Sequence, residues 1–154
     1  MTLRLSISSP TVGTFTWIDQ CTSLTRLGLQ KCTFEIDFQL LREVPHLTTL
    51  DIRESYVRHL HGVQHRMELK KIDVTRCSRL ESLEGLAGAP QLQSIEAVWS
   101  GAETIGELHR CPHLTRVNFR SCDNLRSLVG LVGAPSLHTA VAPQHFESTW
   151  RDHH

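Results

Sequence analysis

The nonapeptide LKKIDVTRC, residues 69–77, decides the fold because the same frame recurs throughout the chain. The other copies are LTRLGLQKC from residue 24, LTTLDIRES from 47, LQSIEAVWS from 92, LTRVNFRSC from 114, LHTAVAPQH from 137 and a degenerate TLRLSISSP from residue 2. Their shared frame is L-x-x-L-x-L-x-x-(C/S), spaced alternately by 22 and 23 residues. A fixed period of this length is typical of repeat proteins. We therefore predict a single domain over residues 1–154, built of about seven repeats, of which the last is incomplete.

Each repeat divides into a strand and a tight return. The fourth and sixth residues of the frame are apolar and the fifth is mostly polar, which is the alternation of a half-buried β-strand. After the frame, apolar residues lie three apart. Examples are Leu80, Leu83 and Leu86, Leu125, Leu128 and Leu131, and Val12, Phe15 and Ile18. Residues i and i+3 eclipse each other in a 3₁₀-helix, so this spacing predicts 3₁₀ turns. The stretch FEIDFQLLREV, residues 34–44, is rich enough for one or two α-helical turns.

The frame resembles that of the leucine-rich repeat (LRR) protein family, L-x-x-L-x-L-x-x-(N/C)-x-L over 20–29 residues. The resemblance covers essentially the whole chain, and its departures are Thr2, Pro10, Ala97, Ala140, Ala142 and His145. It implies an α/β solenoid with one parallel β-sheet on the concave face and 3₁₀ or short helical returns on the convex face. It also implies non-catalytic binding of a protein partner through the concave face. Cysteine-bearing repeats of this type look like those of intracellular adaptor proteins.

Two longer stretches, LESLEGLAGAPQL at residues 80–92 and LRSLVGLVGAPSL at 125–137, match each other 45 residues apart. They are either scaffold or a duplicated glycine-rich ligand loop. Neither G-x-G-x-x-G nor G-x-x-x-x-G-K-[ST] occurs, which disfavours a phosphate-binding loop. We assign the leucines to the core. Backbone geometry or close approach that a side chain would hinder is expected at Gly85, Gly88, Gly130 and Gly133.

The composition gives no reason to expect nucleic acid or a membrane as the partner. Sixteen Lys and Arg residues balance sixteen Asp and Glu residues, so no net formal charge draws the chain to a polyanion. No secretory leader follows Met1 and no run of 18 apolar residues occurs. We therefore expect an intracellular protein of the cytoplasm.

The five cysteines are predicted to be free thiols. Cys32, Cys77 and Cys122 share one frame position in every second repeat, which places them roughly 9–10 Å apart, twice the strand spacing. A disulfide needs Cα atoms about 4.4–6.8 Å apart. Cys21 and Cys111 lie four repeats apart, which is further still. Mostly buried, unreactive thiols suit a reducing intracellular compartment.

The sequence offers little for catalysis or metal binding. His59, His61 and His65 suggest a zinc site, but no cysteine pairs with them at ligand spacing. The alternative is a solvated convex turn with histidines on either side of the core residues Leu60 and Val63. A catalytic cysteine needs a neighbouring base to activate it, and a buried one is expected to be inert. We predict no enzyme activity, no metal, no cofactor and no small-molecule substrate.

Strand residues that face away from the core are free of packing and carry the information on function. The third frame position is occupied by Arg4, Arg26, Thr49, Lys71, Ser94, Arg116 and Thr139, and the fifth by Ser6, Gly28, Asp51, Asp73, Glu96, Asn118 and Val141. The seventh position is occupied by Ser8, Gln30, Arg53, Thr75, Val98, Arg120 and Pro143. The eighth position is occupied by Ser9, Lys31, Glu54, Arg76, Trp99, Ser121 and Gln144. These columns give a basic stripe, an acidic stripe and an apolar patch ringed by charges, which is typical of an interface. The candidate partner-binding residues are Trp99, Val98, Arg76, Arg120, Glu96, Asp73, Asp51 and Arg53. Trp99 is the expected anchor, since Trp and Arg are enriched among binding hot spots.

Three other interpretations of this face stay open. Its charges could pair across strands and serve solubility alone. The basic stripe of Arg4, Arg26, Lys71 and Arg116 could bind nucleic acid, although the neighbouring acidic stripe disfavours a polyanion. The chain could also be a structural module buried in a larger assembly or a longer parent protein. Both terminal strands are predicted to leave an edge unpaired, which would allow end-to-end self-association.

Overall fold

The computed structural model of the chain describes residues 1–6 and 17–146, and it contains one seven-stranded sheet. The strands are β1 Thr2–Ser6, β2 Arg26–Gln30, β3 Thr49–Asp51, β4 Lys71–Asp73, β5 Ser94–Glu96, β6 Arg116–Asn118 and β7 Thr139–Val141. They follow each other in chain order, and all neighbours are parallel. The 3₁₀-helices are η1 Ile18–Gln20, η2 Phe38–Glu43, η3 Val63–His65, η4 Glu84–Leu86, η5 Leu108–Arg110, η6 Val129–Leu131 and η7 Gln144–Phe146. In the described part of the chain, no helix has the length and apolar character needed to cross a lipid bilayer.

The repeat frame fixes the register of the sheet. Leu50 of β3 pairs with Leu27 of β2 on one side and with Ile72 of β4 on the other. Ile95 and Val117 continue this row in β5 and β6. Residues at the same frame position therefore lie side by side on adjacent strands. Each column of the aligned repeats is a set of neighbouring side chains across the sheet. Parallel strands about 4.8 Å apart set the spacing within each row.

The apolar frame residues form one continuous core behind the sheet. The first frame residue has no exposed surface at Leu24, Leu47, Leu69, Leu92 and Leu114. Leu83 and Leu86 in the return after β4 are equally buried. The predicted core is therefore confirmed for these residues. Val12 and Phe15, predicted to join it, lie outside the described residues.

The return after β2 differs from the prediction. The expected α-helical turns are wrong, because Phe38–Glu43 form a six-residue 3₁₀-helix. The Asp37 carboxylate caps this helix by accepting a hydrogen bond of 2.9 Å from a backbone N–H two residues on. Phe38, Leu41 and Val44 lie three residues apart and are all buried. A 3₁₀-helix aligns residues at this spacing on one side, whereas the 3.6-residue turn of an α-helix would rotate them apart.

Glycines of the duplicated stretch serve the close stacking of the repeats. A Cβ atom on Gly130 would lie 1.8 Å from the carbonyl oxygen of Gly106 in the preceding repeat. Gly133 has a φ of +81°, which disfavours any side chain. Their counterparts behave alike, since Gly88 has a φ of +79° and a Cβ on Gly85 would meet a backbone carbonyl at 2.4 Å. These observations support the scaffold interpretation of the duplication.

Candidate functional site

A tight turn follows each of the strands β2 to β6 and presents side chains at the edge of the concave face. In the fifth repeat the Ser100 N–H donates to the Ala97 carbonyl at 3.1 Å, which closes a turn around Val98 and Trp99. Trp99 has a φ of 59°, in the left-handed region. The same frame position has φ values between 55° and 59° at Lys31, Glu54, Arg76 and Ser121. Turns with a positive φ at this place favour Gly or Asn, so a bulky residue here is a conformational outlier.

A row of buried hydroxyl and thiol groups holds these turns in place. Ser55 Oγ donates to the Leu29 carbonyl at 2.8 Å. The Cys77 thiol donates to the Ile52 carbonyl at 3.0 Å, and the Cys122 thiol makes the equivalent bond at 2.8 Å. In each case the ninth frame residue bonds to the sixth residue of the preceding repeat. Because the ninth residue points inward, the turn projects the eighth residue outward.

The thiols of this row are buried, as predicted, and are unsuited to nucleophilic chemistry. Cys32, Cys77 and Cys122 are at most 1% exposed. Burial raises the pKa of Cys77 to about 12 and also raises the pKa of Cys122. A reactive cysteine needs the opposite shift, because the thiolate is the nucleophile. Cys21 differs from these three in being only partly buried.

In the middle of the concave face, charged side chains pair with one another. The Arg53 guanidinium donates to both carboxylate oxygens of Asp51, from Nε at 2.9 Å and from Nη2 at 2.8 Å. Gln30 Nε2 donates to Asp51 at 2.9 Å, and Arg53 Nε lies 3.6 Å from Asp73 Oδ2. Burial alone raises the pKa of Asp51, but the hydrogen bonds from Arg53 and Gln30 outweigh it and hold this pKa below its usual range. We call Gln30, Asp51, Arg53 and Asp73 the paired cluster.

The C-terminal part of the face is built differently. Trp99 is 59% exposed and borders a shallow hollow that extends over the two following repeats. We call it the Trp99 hollow; it is lined by Trp99, Arg120, Ser121, Asp123, Val141, Ala142 and Gln144. Val141 and Ala142 are half-buried and form the apolar part of the lining with Trp99, while the rest of the lining is polar; Val98, next to Trp99, is also half-buried. Arg76 and Arg120 are exposed, and their guanidinium groups make no hydrogen bond or ion pair with any described residue.

The structure separates the eight candidate residues into two groups on the concave side. Asp51, Arg53 and Asp73 belong to the paired cluster. Val98, Arg76 and Arg120 adjoin Trp99; the Arg76 N–H donates to the Val98 carbonyl at 2.8 Å and the Trp99 N–H to the Arg120 carbonyl at 3.0 Å. Glu96 lies between the groups and accepts a hydrogen bond of 2.9 Å from Asn118 Nδ2.

The sequence did not identify Asp123 and Ala142 as part of the hollow. Asp123 lies beyond the nine frame positions. Ala142 is a sixth-position residue, which the frame assigns to the core, yet it is only half-buried. The only sequence signal for Ala142 is its place 23 residues after Phe119, the sixth-position residue of the neighbouring repeat, where Ala replaces a large apolar side chain.

Three residues assigned to the outward face are buried, which corrects the prediction. Ser94 is 7% exposed, because its short side chain lies between Lys71 and Arg116 in the neighbouring strands. Gly28 is buried beside Arg4, whose Cγ lies 3.1 Å from the Cβ position of that glycine. Pro143 is buried where its carbonyl accepts the Phe146 N–H at 2.9 Å, in the turn that leads into η7. Ser8 and Ser9 of the predicted columns lie outside the described residues.

The histidine cluster on the convex side is solvated. This agrees with the alternative to a zinc site, a solvated convex turn. His59 and His61 are exposed, and their ring centroids stack 5.4 Å apart. The neighbouring Leu60 and Val63 are buried in the core. His59 Nε2 lies 3.8 Å from a Glu81 carboxylate oxygen. Within residues 1–6 and 17–146, no group of three or more His, Cys, Asp or Glu side chains is placed to hold a metal ion.

Comparison with solved structures supports the fold. An internalin from Listeria monocytogenes strain 4b F2365 resembles this chain with a TM-score of 0.50 at 13% sequence identity. The match covers 90% of this chain and 46% of the internalin, so the chain spans about half the length of that protein. Together with the seven parallel strands and their 3₁₀ returns, this likeness shows a leucine-rich-repeat solenoid. No model of a known protein family matches the chain, and no curated protein matches it in sequence.

Proposed function

We propose that this protein is a non-catalytic module that binds a protein partner through its concave face, with Trp99 as the central contact. The observation that carries the proposal is the 59% exposure of Trp99 at a turn position where other repeats have Lys, Glu, Arg or Ser. The fold of those repeats shows that the turn does not need an aromatic side chain. Trp is among the residues most enriched at the energetic centres of protein interfaces.

The backbone at Trp99 supports a binding role. A non-Gly residue in the left-handed region costs of order 1–3 kcal/mol, and such residues persist where the surrounding structure enforces them. At Trp99 the turn closed by Ser100 and Ala97 enforces this geometry. The backbone therefore fixes the direction in which the Cα–Cβ bond of Trp99 leaves the main chain. A contact group whose freedom is already restricted loses less conformational entropy on binding.

Trp99→Ala tests the proposal. The partner is first isolated from a cell extract on immobilised protein, and its affinity is then measured with purified components. Loss of the anchor should weaken binding by about 2 kcal/mol or more. Thermal denaturation should show a change in stability within about 1 kcal/mol, because the side chain is mostly exposed. Arg76→Ala and Arg120→Ala should weaken binding in the same direction but less.

The control is His59→Glu, which introduces a negative charge on the convex side and should leave binding unaffected. Two results would contradict the proposal. If Trp99→Ala unfolds the protein, the residue belongs to the core. If the variant is stable and binds normally, Trp99 is not the anchor, and burial of this face within a larger assembly becomes the better interpretation.

We also propose an intracellular location, in the cytoplasm, where the protein serves as an adaptor or scaffold. The support is the chemistry of the thiols, since Cys77 and Cys122 donate buried hydrogen bonds that require the reduced form. Alkylation of the denatured, non-reduced protein should add five labels, which mass measurement counts. Fewer labels would reveal a disulfide and remove this support.

A further inference from the structure

We propose that the segment bound on the concave face is an extended, acidic stretch of polypeptide with one large apolar side chain, which enters the Trp99 hollow. This inference rests on the proposed function and specifies the chemistry of the partner. Its basis is the distribution of unpaired charge on the concave face.

The concave face is basic although the chain has no net charge. Among the residues that the structure describes, the third, fifth, seventh and eighth frame positions hold eight Lys or Arg side chains and four Asp or Glu side chains, an excess of four positive charges. Of the acidic residues, Asp51 and Asp73 are contacted by Arg53 within the paired cluster. Complementary charge across an interface favours the correct partner, so this face fits a negatively charged one.

The unpaired cations form two rows, one at each end of the strands. The first row consists of the strand-initiating residues Arg26, Lys71 and Arg116. The second row consists of the turn residues Lys31, Arg76 and Arg120. All six are exposed, and none of their side chains makes a hydrogen bond or ion pair with a described residue. Their charges are therefore free to pair with a ligand.

The spacing within the rows matches an extended chain. Members of a row belong to alternate repeats, so neighbours are two strands, or about 9.6 Å, apart. An extended polypeptide that crosses the strands advances about 3.3 Å per residue, so three residues span this distance. An acidic residue at about every third position can therefore meet successive cations of one row.

The acidic stripe of the fifth frame position, which lies between the two rows of cations, favours a peptide over a nucleic acid as the ligand. Asp73 and Glu96 lie in the centre of the face and are only half-buried. A nucleic acid carries a phosphate at every backbone unit and would bring negative charge over these carboxylates. A peptide brings neutral amide N–H groups, from which carboxylates accept strong hydrogen bonds. Cations on both sides of central acceptors therefore suit an acidic peptide.

The Trp99 hollow accounts for the apolar side chain. Val141 takes the place of the acidic residues in the fifth column, next to Asn118 of the adjacent strand. With Ala142 and the indole of Trp99 it supplies the apolar part of the hollow, whose remaining lining is polar. The hollow also contains one carboxylate, that of Asp123, and one guanidinium, that of Arg120. The hollow therefore has no net charge. One apolar side chain between acidic neighbours fits this arrangement better than an unbroken acidic run.

Selection from a display library of random peptides tests the inference on the full chain. Peptides of about ten residues suffice, because they extend about 33 Å and seven strands span about 29 Å. We expect the enriched peptides to be acidic, with a Leu, Phe or Trp among the acidic residues. Enrichment of peptides without acidic excess overturns the inference, as does the absence of any enriched peptide.

Two double variants with the same change of charge measure the role of the first row. Lys71→Gln/Arg116→Gln removes two cations from the concave face, and Arg42→Gln/Arg110→Gln removes two from η2 and η5. The first should weaken binding of the best enriched peptide roughly fivefold and reduce its salt dependence, as expected for exposed charge pairs. The second should leave the affinity unchanged. Equal losses in both variants overturn the inference.

A peptide whose apolar residue is replaced by Ala tests the hollow. Trp99→Ala should weaken binding of the original peptide but not of the replaced one. Equal losses for the two peptides would place the apolar side chain elsewhere and overturn this part of the inference.

A single-stranded oligonucleotide with as many charges as the peptide distinguishes the two polyanions. We expect it to bind more weakly than the peptide at the same salt concentration. Tighter binding that is lost in Lys71→Gln/Arg116→Gln overturns the inference in favour of nucleic acid. The proposed function is decided separately, by the affinity of the purified partner for Trp99→Ala, and it stands if that affinity falls while acidic peptides fail to bind.

Discussion

The paired cluster and the Trp99 hollow lie on the same sheet, but only the paired cluster satisfies its own polar groups. There, Asp51 accepts side-chain hydrogen bonds from Gln30 and, twice, from Arg53. In the hollow, Trp99 is exposed and the Arg120 guanidinium has no partner among the described residues. A partner that contacts the paired cluster must compete with bonds already made, whereas the hollow offers groups that are still unpaired. The repeat frame supplies an equal scaffold to both regions, and the outward side chains make them different.

The largest effects are expected in the core, where the two regions are alike. Leu69 lies in the repeat that carries Asp73, Leu114 lies in the repeat that carries Arg120, and neither leucine has exposed surface. Each substitution to Ala should lower the free energy of unfolding by about 2–5 kcal/mol, because a cavity remains. Chemical denaturation measures this loss. The control is Val129→Ala, at a residue 74% exposed, which should change stability by less than about 0.5 kcal/mol. Losses well under about 1 kcal/mol at both leucines would contradict the repeat register.

A smaller effect is expected at the Asp51 carboxylate, where the two regions differ most. Asp51→Ala leaves Arg53 and Gln30 without their acceptor and should destabilise the fold by about 1–2 kcal/mol. The pH dependence provides a second measurement. Because the folded-state pKa of Asp51 is lowered, its contribution is present above the unfolded-state pKa of about 3.9 and is lost as the pH falls through the folded-state value.

Asp51→Asn should therefore lose less stability than the wild type when the pH is lowered below about 4. Unfolding curves collected across this range measure the difference. Identical pH profiles for the two proteins would mean that the paired cluster is not stabilised by the Asp51 charge.

The smallest effect concerns the left-handed turns, which the two regions share. Trp99→Gly should be more stable than Trp99→Ala by about 1 kcal/mol, since both lose the indole and Gly adopts this φ without the steric cost of a Cβ atom. Glu54→Gly and Glu54→Ala, at the same turn position near the paired cluster, should differ in the same direction. Thr75, which is outside the left-handed region, is the control where Ala should be the more stable, because Gly has more conformational freedom to lose on folding. Thermal denaturation that ranks Ala above Gly at residues 54 and 99 would contradict the turn geometry.

The strands, their register and the core could be predicted because they belong to every repeat. The spacing alone places Leu50 opposite Ile72, and the structure has them paired. The bond between Arg53 and Asp51 could not be predicted in the same way. It joins two residues of one repeat and depends on side-chain conformations that the period does not fix.

The left-handed turns and the 3₁₀ form of η2 could not be predicted, because packing and buried hydrogen bonds determine them against the conformational preferences of their residues. The eighth frame position is occupied by residues such as Arg76 and Trp99, and not by Gly or Asn. Turn rules that look for Gly or Asn therefore do not detect the left-handed backbone at this position. The buried donors next to it, such as Cys77, hold that geometry. In η2, helix-forming residues suggested an α-helix, but the burial of every third side chain favoured the 3₁₀ form.

The separation of charge between the concave face and the rest of the molecule has a kinetic consequence. The whole chain is neutral, yet an excess of positive charge lies on one side, so the molecule carries an electric dipole. The field of a negatively charged partner exerts a torque on this dipole, which turns the concave face toward the partner before contact. Salt screens the torque beyond about 8 Å at physiological ionic strength. Added salt should therefore slow association while leaving the lifetime of a formed complex nearly unchanged, although the molecule has no net charge to be screened.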